Sequence, residues 1–275
     1  ELTNPIIYLS EYDILSITTK GAYNIPYTRS FKEGERRINV DFYREINNIQ
    51  DWNAINQSPT ENYILKSDLD FINDSNKAVI SATYTGKLDG GNHVIRNINN
   101  INYMFRRVEG SIKNLSIQNF SYKGNWRDVG IIYELNKAEI DHVFVSNVTI
   151  EIINITEEGG YYLSGFVRNA TSSIINNCSV SNVNIKVNGQ KREARVGGIA
   201  AYLNTSTMKN CYVSGITVDE KGAVSSAGIG GIVGRTERSQ IDHCYAEGKI
   251  QSERGSVGGI LGYASETYLN HCYSF

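Results

Sequence analysis

Residues 197–218 read GGIAAYLNTSTMKNCYVSGITV and residues 230–250 read GGIVGRTERSQIDHCYAEGKI, one an evident copy of the other. In each, a glycine followed by large apolar residues is answered ten positions later by another apolar residue, Gly198 by Met208 and Gly231 by Ile241. The same offset links Gly130 to Ile140, Gly165 to Ile175 and Gly259 to Leu269. Two residues past each of those positions stands Asn or His (His142, Asn177, Asn210, His243, His271), followed by Val143, Cys178, Cys211, Cys244 or Cys272. An earlier copy has Asn102 in place of the glycine and continues through Ile112, Asn114, Leu115, Ile117, Asn119 and Phe120. Six units are visible, and self-similarity at such a period signals a stacked repeat.

Within a unit the parity of the apolar positions changes twice. Ile175 is odd, Cys178 and Val180 are even, and Val183, Ile185 and Val187 are odd again. Strand side chains alternate between faces, so a one-residue slip demands a bend if all these residues are to point inward. The slips carry residues that tolerate left-handed backbone angles: Asn177 and Asn182, with Gly215 and Gly248 at the second slip in later copies. The pattern predicts an all-β chain, a parallel β-helix solenoid of about six to seven coils with three short strands per coil. Units vary in length only between the last strand of one coil and the glycine of the next, with insertions at Ile152–Tyr162, Asn188–Arg195 and Asp219–Ser226. These are the outward loops.

The first 80 residues do not repeat. In IQDWNAIN, Ile49 to Ile55 have the spacing of a short amphipathic helix, which would cover the first, otherwise unpaired edge. Tyr63–Leu65, Leu69–Phe71 and Gly86–Asn97 then read as one irregular first coil. The expected organisation is a lead-in segment over residues 1–45, the tail of a preceding module; an N-terminal cap with irregular strands over 46–83; and β-helix repeats over 84–275. The chain starts at Glu1 and stops inside a repeat, as expected of a piece of something larger.

With 27 basic and 29 acidic residues, the chain offers no long-range field for nucleic acid or an anionic membrane. Its longest apolar stretch, Val196 to Leu203, is far shorter than the roughly 20 residues of a membrane span. Neither partner is implied.

Several residues invite a chemical reading. His142, His243 and His271 share the bend position of Asn114, Asn177 and Asn210, and without a cysteine or carboxylate at zinc-site spacing they read as rungs of a polar ladder. His93 reads as a turn residue. The four cysteines share one register and read as inward-facing reduced thiols. Beside the bend, the outward column Lys113, Asp141, Asn176, Lys209, Asp242, Asn270 holds two carboxylates three coils apart, on the order of 14 Å, beyond the roughly 5 to 9.5 Å of glycosidase pairs. Each is expected to pair with a lysine one coil away. The glycine runs, such as GIGGIVG from Gly228, recur at a fixed repeat position and read as close-approach positions rather than phosphate loops. No catalytic and no metal-ligating residue is assigned.

The run YREINNIQDWNAINQSPTENYILKSDLDFIN, followed by TGKLDGGNHVIRNI, SIKNLSIQNF and the GGI and NCYV repeats, resembles the N-terminal β-helical region of Gram-positive immunoglobulin A1-specific zinc metalloendopeptidases and their surface-anchored paralogues. The likeness extends over nearly the whole chain. It implies a secreted or cell-wall-associated parent enzyme whose zinc and general-base glutamate lie in a later, C-terminal domain, with no cofactor in this segment. It implies immunoglobulin A1 and other domains of the same polypeptide as partners. The segment itself is then a non-catalytic, substrate-engaging scaffold. An adhesin-type surface repeat without a protease and a carbohydrate-binding β-helix are the rival readings. For partner contact the outward loops offer Tyr122, Trp126 and Arg127 in one coil and Tyr161 and Tyr162 in the next, residue types enriched at interface hot spots.

Overall fold

The computed structural model describes residues 43–153, 160–223 and 228–275, without the side chains of 189–192 and 222–223, and the backbone of four strands before residue 43. From Tyr43 onward the described strands pair with one another in parallel, rung on rung, as in a β-helix; on its other edge Tyr43–Ile46 pairs antiparallel with Tyr23–Asn24. One coil runs through Tyr161–Ser164, Val167–Thr171, Ile174–Asn176 and Ser179–Arg192. In-register copies of these runs stack into sheets of five, seven and sixteen strands. The short run before each repeat glycine, which forms the five-stranded sheet, is added to the three strands that periodicity predicts.

Inward side chains form one continuous apolar column. Ile140, Ile175, Met208 and Ile241 stack in register and are buried, as are Val143, Cys178, Cys211 and Cys244. All four cysteines are free. Cys272, on the last rung, is only partly covered. The repeat glycines are set by crowding. A Cβ on Gly198 would lie 2.4 Å from the Gly231 carbonyl oxygen and 2.8 Å from a Val213 methyl.

Three bends shape each coil. At the first, Asn114, His142, Asn177, Asn210, His243 and His271 all have φ between 48° and 53°. At the second, Asn97, Asn119, Asn147 and Asn182 are left-handed too, and each amide hands a hydrogen bond down the stack: Asn119 to Asn97 at 2.8 Å, Asn147 to Asn119 at 3.0 Å, Asn182 to Asn147 at 3.1 Å. The third bend was not foreseen. It uses Lys137, Ser172, Thr205, Arg238 and Glu266, again left-handed, and a serine ladder supports it. Ser173 Oγ accepts the Ala138 N–H (3.1 Å), Ser206 Oγ the Ser173 N–H (3.0 Å) and Ser239 Oγ the Ser206 N–H (3.1 Å). Each hydroxyl donates to the carbonyl two residues back, so all three buried hydroxyls both donate and accept.

At the N-terminal end the helix Ile49–Gln57 packs against the strand Ile80–Tyr84, the edge of the seven-stranded sheet. Asn48 caps it, its side-chain oxygen accepting from the N–H groups of Gln50 and Asp51, and Asp51 accepts in return from the Asn47 N–H. Trp52 and Ile55 are buried, the Trp52 ring edge-on to Phe71 and Phe105. Asn56 then serves the exposed edge as a strand would. Its amide donates to the Val79 carbonyl and its oxygen accepts the Ser81 N–H at 2.8 Å. This is the predicted cap, and it removes an unpaired edge.

The expected single irregular coil is two regular ones. Tyr63 pairs with Leu88 and Leu69 with Ile95, so Asn62–Asp70 lies one rung below Lys87–Asn99. Of the lead-in segment, Ile7–Tyr8, Glu35–Val40 and Tyr27–Lys32 form a small antiparallel sheet. Tyr23–Asn24 pairs with Tyr43–Ile46, and the remaining residues before Tyr43 lie outside the described residues.

Candidate interaction face

The variable segments connect the long strands Glu139–Ile153, Ser179–Arg192 and Tyr212–Ala223 to the five-stranded sheet. Parts of all three (154–159, the side chains of 189–192, and 224–227) lie outside the described residues, Gly159 among them. The five- and seven-stranded sheets that border these segments are described, and the outward side chains there are not repeats of one another.

Tyr162 lies one rung above Asp128 and one below Arg195. Its ring is held between two guanidinium groups, Arg168 at 4.6 Å and Arg195 at 4.6 Å from the ring centre. Arg168 also covers Tyr133 at 4.4 Å, and Arg195 covers Tyr202 at 4.6 Å. Arg235 lies over Tyr263 at 4.8 Å. The result is an alternating Tyr and Arg stripe climbing the stack. Each arginine also meets a carboxylate: Arg168 with Asp128 (3.0 Å), Arg195 with Glu193 (3.0 Å), and Arg235 with Glu193 (3.2 Å) and Glu237 (2.8 Å). Burial would raise the Glu237 carboxyl, but hydrogen bonds from Tyr202 and Arg235 outweigh it and hold the group below its ordinary range. The stripe is therefore locally neutral and partly buried. Flat rings and planar guanidinium groups present contact area at low side-chain entropy cost.

The five residues singled out for partner contact separate. Trp126 is 60% exposed, and its N–H donates to the Tyr122 hydroxyl at 2.9 Å. Tyr122 is buried beneath that loop and gives it its shape. Arg127 is half-exposed, 4.0 Å from Asp128, and its carbonyl accepts the Tyr162 N–H, which ties the Trp126 loop to the rung above. Tyr161 points the opposite way from Tyr162, as strand alternation requires, and is fully buried. Its hydroxyl donates to the buried carboxylate of Glu220, which also accepts from Ser252 at 2.6 Å. Tyr122 and Tyr161 thus belong to the interior rather than to a surface patch. Trp126, Arg127 and Tyr162 are brought together on adjacent rungs.

Tyr133, Arg168, Arg195, Tyr202, Arg235 and Tyr263 were missed. For Tyr202, Arg235 and Tyr263 the signal lay in the repeat: the position four residues after the glycine reads Glu134, Asn169, Tyr202, Arg235, Tyr263 up the stack. The outward column beside the first bend behaves differently from expectation. Lys113 pairs with Asp89 at 3.4 Å, whereas Asp141 is held by His142 at 2.8 Å and by the Asn177 amide at 2.9 Å. Asp242 is held by His243 and His271. A histidine in the left-handed bend folds its ring back on the preceding carboxylate, which a lysine one rung away does not reach. Asp141 and Asp242 do lie three rungs apart, as counted from the sequence.

The GLUG motif family matches residues 225–251, about one coil. A solved structure named IgA1 Protease is similar over 89% of this chain, at 18% sequence identity and a TM-score of 0.53. This chain spans 22% of the length of that one, and the likeness is one of fold. No curated protein matches the sequence.

Proposed function

We propose that this β-helix is the non-catalytic, partner-engaging scaffold of an exported zinc metalloendopeptidase acting on immunoglobulin A1. The reading rests on one observation above all. The rungs repeat their residue types on the first and second bend columns and in the interior, and vary on the Tyr and Arg face, where the variable segments also emerge. The fold likeness to an IgA1 protease and the sequence resemblance point the same way. In this reading the zinc ligands and general base belong to another part of the polypeptide, and the whole is secreted or held at the cell wall of a Gram-positive bacterium. The scaffold orients the substrate through Trp126, Arg127, Tyr162 and the stripe above them.

The test is direct. Purified chain passed over immobilised immunoglobulin A1 should bind saturably, and should cleave neither that protein nor a generic peptide with zinc added. Zinc-dependent cleavage by this chain alone overturns the scaffold reading. Saturable binding to a glycan array with none to immunoglobulin A1 transfers the same face to the carbohydrate-binding alternative.

A further inference from the structure

At the top of the first bend column two histidines replace the asparagine that the fold uses at Asn114, Asn177 and Asn210. His243 and His271 sit on successive rungs, their rings stacked 4.5 Å apart and inclined by 21°. Both turn Nδ1 toward one carboxylate oxygen, Asp242 Oδ1, at 2.9 Å and 3.3 Å. A ligand atom from each of the three residues lies within 4.8 Å of the others. His142 has no such company, because Asn177 stands on the rung above it.

We propose that Asp242, His243 and His271 bind a divalent transition ion of the borderline class, the class that prefers imidazole nitrogen with a carboxylate. The argument is one of separations. Around an ion with bonds of about 2.1 Å, neighbouring ligand atoms stand about 3.0 Å apart at right angles and about 3.4 Å apart in a tetrahedron. The two nitrogen to oxygen distances already fall in or next to that range. The histidine side chains are 59% and 72% exposed, so small rotations bring the nitrogens to the ion and water completes its shell. Such exposure suits a structural clip and not a water-excluding catalytic centre. The clip would tie the coil that carries His271 to the coil that carries Asp242 and His243. Binding to the folded chain alone would stabilise that junction by mass action.

The experiment is calorimetric titration of the purified, reduced chain with ZnCl2 and separately with NiCl2, with MgCl2 as control. His243→Asn with His271→Asn is the comparison, since asparagine is the residue this column carries in three other coils and the variant should melt like the parent in chelator. One saturable equivalent of Zn2+ or Ni2+, a raised melting temperature, perturbation of the His243 and His271 ring resonances but not those of His93 and His142, and loss of all three in the double variant support the site. No saturable binding by the parent overturns it. Undiminished binding by the double variant overturns it too, and moves the metal to the thiols, of which Cys272 is the least covered.

Discussion

The first bend column and the Tyr and Arg face ride on the same rungs, yet one repeats its residue and the other changes it at every step. At the bend, asparagine or histidine recurs because the backbone needs φ near 50° and each polar side chain finds a neighbour in the ladder. On the face, nothing in the backbone dictates Glu134, Asn169, Tyr202, Arg235 or Tyr263. The difference separates what a solenoid needs in order to stack from what it is free to vary. Function is then sought where the rung is not copied and no bend fixes the backbone, which sets the face apart from the varied third bend.

The sharpest way to break that division is from the interior. Cys211 lies between Cys178 and Cys244 in the buried column, and burial pushes its thiol well above the ordinary range. Cys211→Asp places an unpaired charge there and is expected to cost several kcal/mol, enough to abolish a cooperative melt. Cys211→Val should cost under about 1.5 kcal/mol. A native-like melt for the aspartate variant would mean that the column is not sealed. The serine bend comes next: Ser206→Ala orphans the Ser173 N–H and is expected to cost about 1–3 kcal/mol in denaturant unfolding. Asn210→Ala, at a solvated bend, should cost only about 1 kcal/mol. The reverse order would place the structural burden on the exposed ladder.

Alkaline titration sharpens the picture of the buried tyrosines. Burial first, and then the hydrogen bond to Glu220, push the Tyr161 hydroxyl far above the ordinary tyrosine value of 10.0. The folded chain keeps that proton while the unfolded chain loses it. Its contribution to stability is therefore full below about pH 10 and falls as pH rises above it. Tyr161→Phe should flatten that slope; an unchanged slope would remove Tyr161 from the network. Smaller still is a labelling difference. Denatured chain should take up four equivalents of thiol reagent, and native chain about one, at Cys272. Rapid reaction at Cys178 or Cys211 would contradict the burial of the column.

Much of this fold was legible because its geometry is written in residue types. A glycine is required where a Cβ would strike the next rung, and an asparagine suits a left-handed bend. The third bend was illegible for the same reason: Lys137, Ser172, Thr205, Arg238 and Glu266 carry no left-handed signature, and their support comes from serines on the neighbouring rung. The interaction face was half legible. Looking for aromatic residues in loops found Trp126 and Tyr162, but also Tyr122 and Tyr161, since a loop's edge and its buried anchor use the same residue type. The strand-borne arginines escaped because their meaning appears only when rungs are stacked.

The central claim, that the varied face binds and the repeated columns carry, is tested most directly by Trp126→Ala combined with Tyr162→Ala, measured for melting temperature and for affinity to immobilised immunoglobulin A1. Trp126 is largely exposed, and Tyr162 contributes chiefly its two arginine contacts, worth about 1–2 kcal/mol together at a half-exposed site. The account predicts a melt within a few degrees of the parent and an affinity weakened at least about tenfold. Unchanged affinity, with stability lost instead, would contradict it and return these rings to the scaffold.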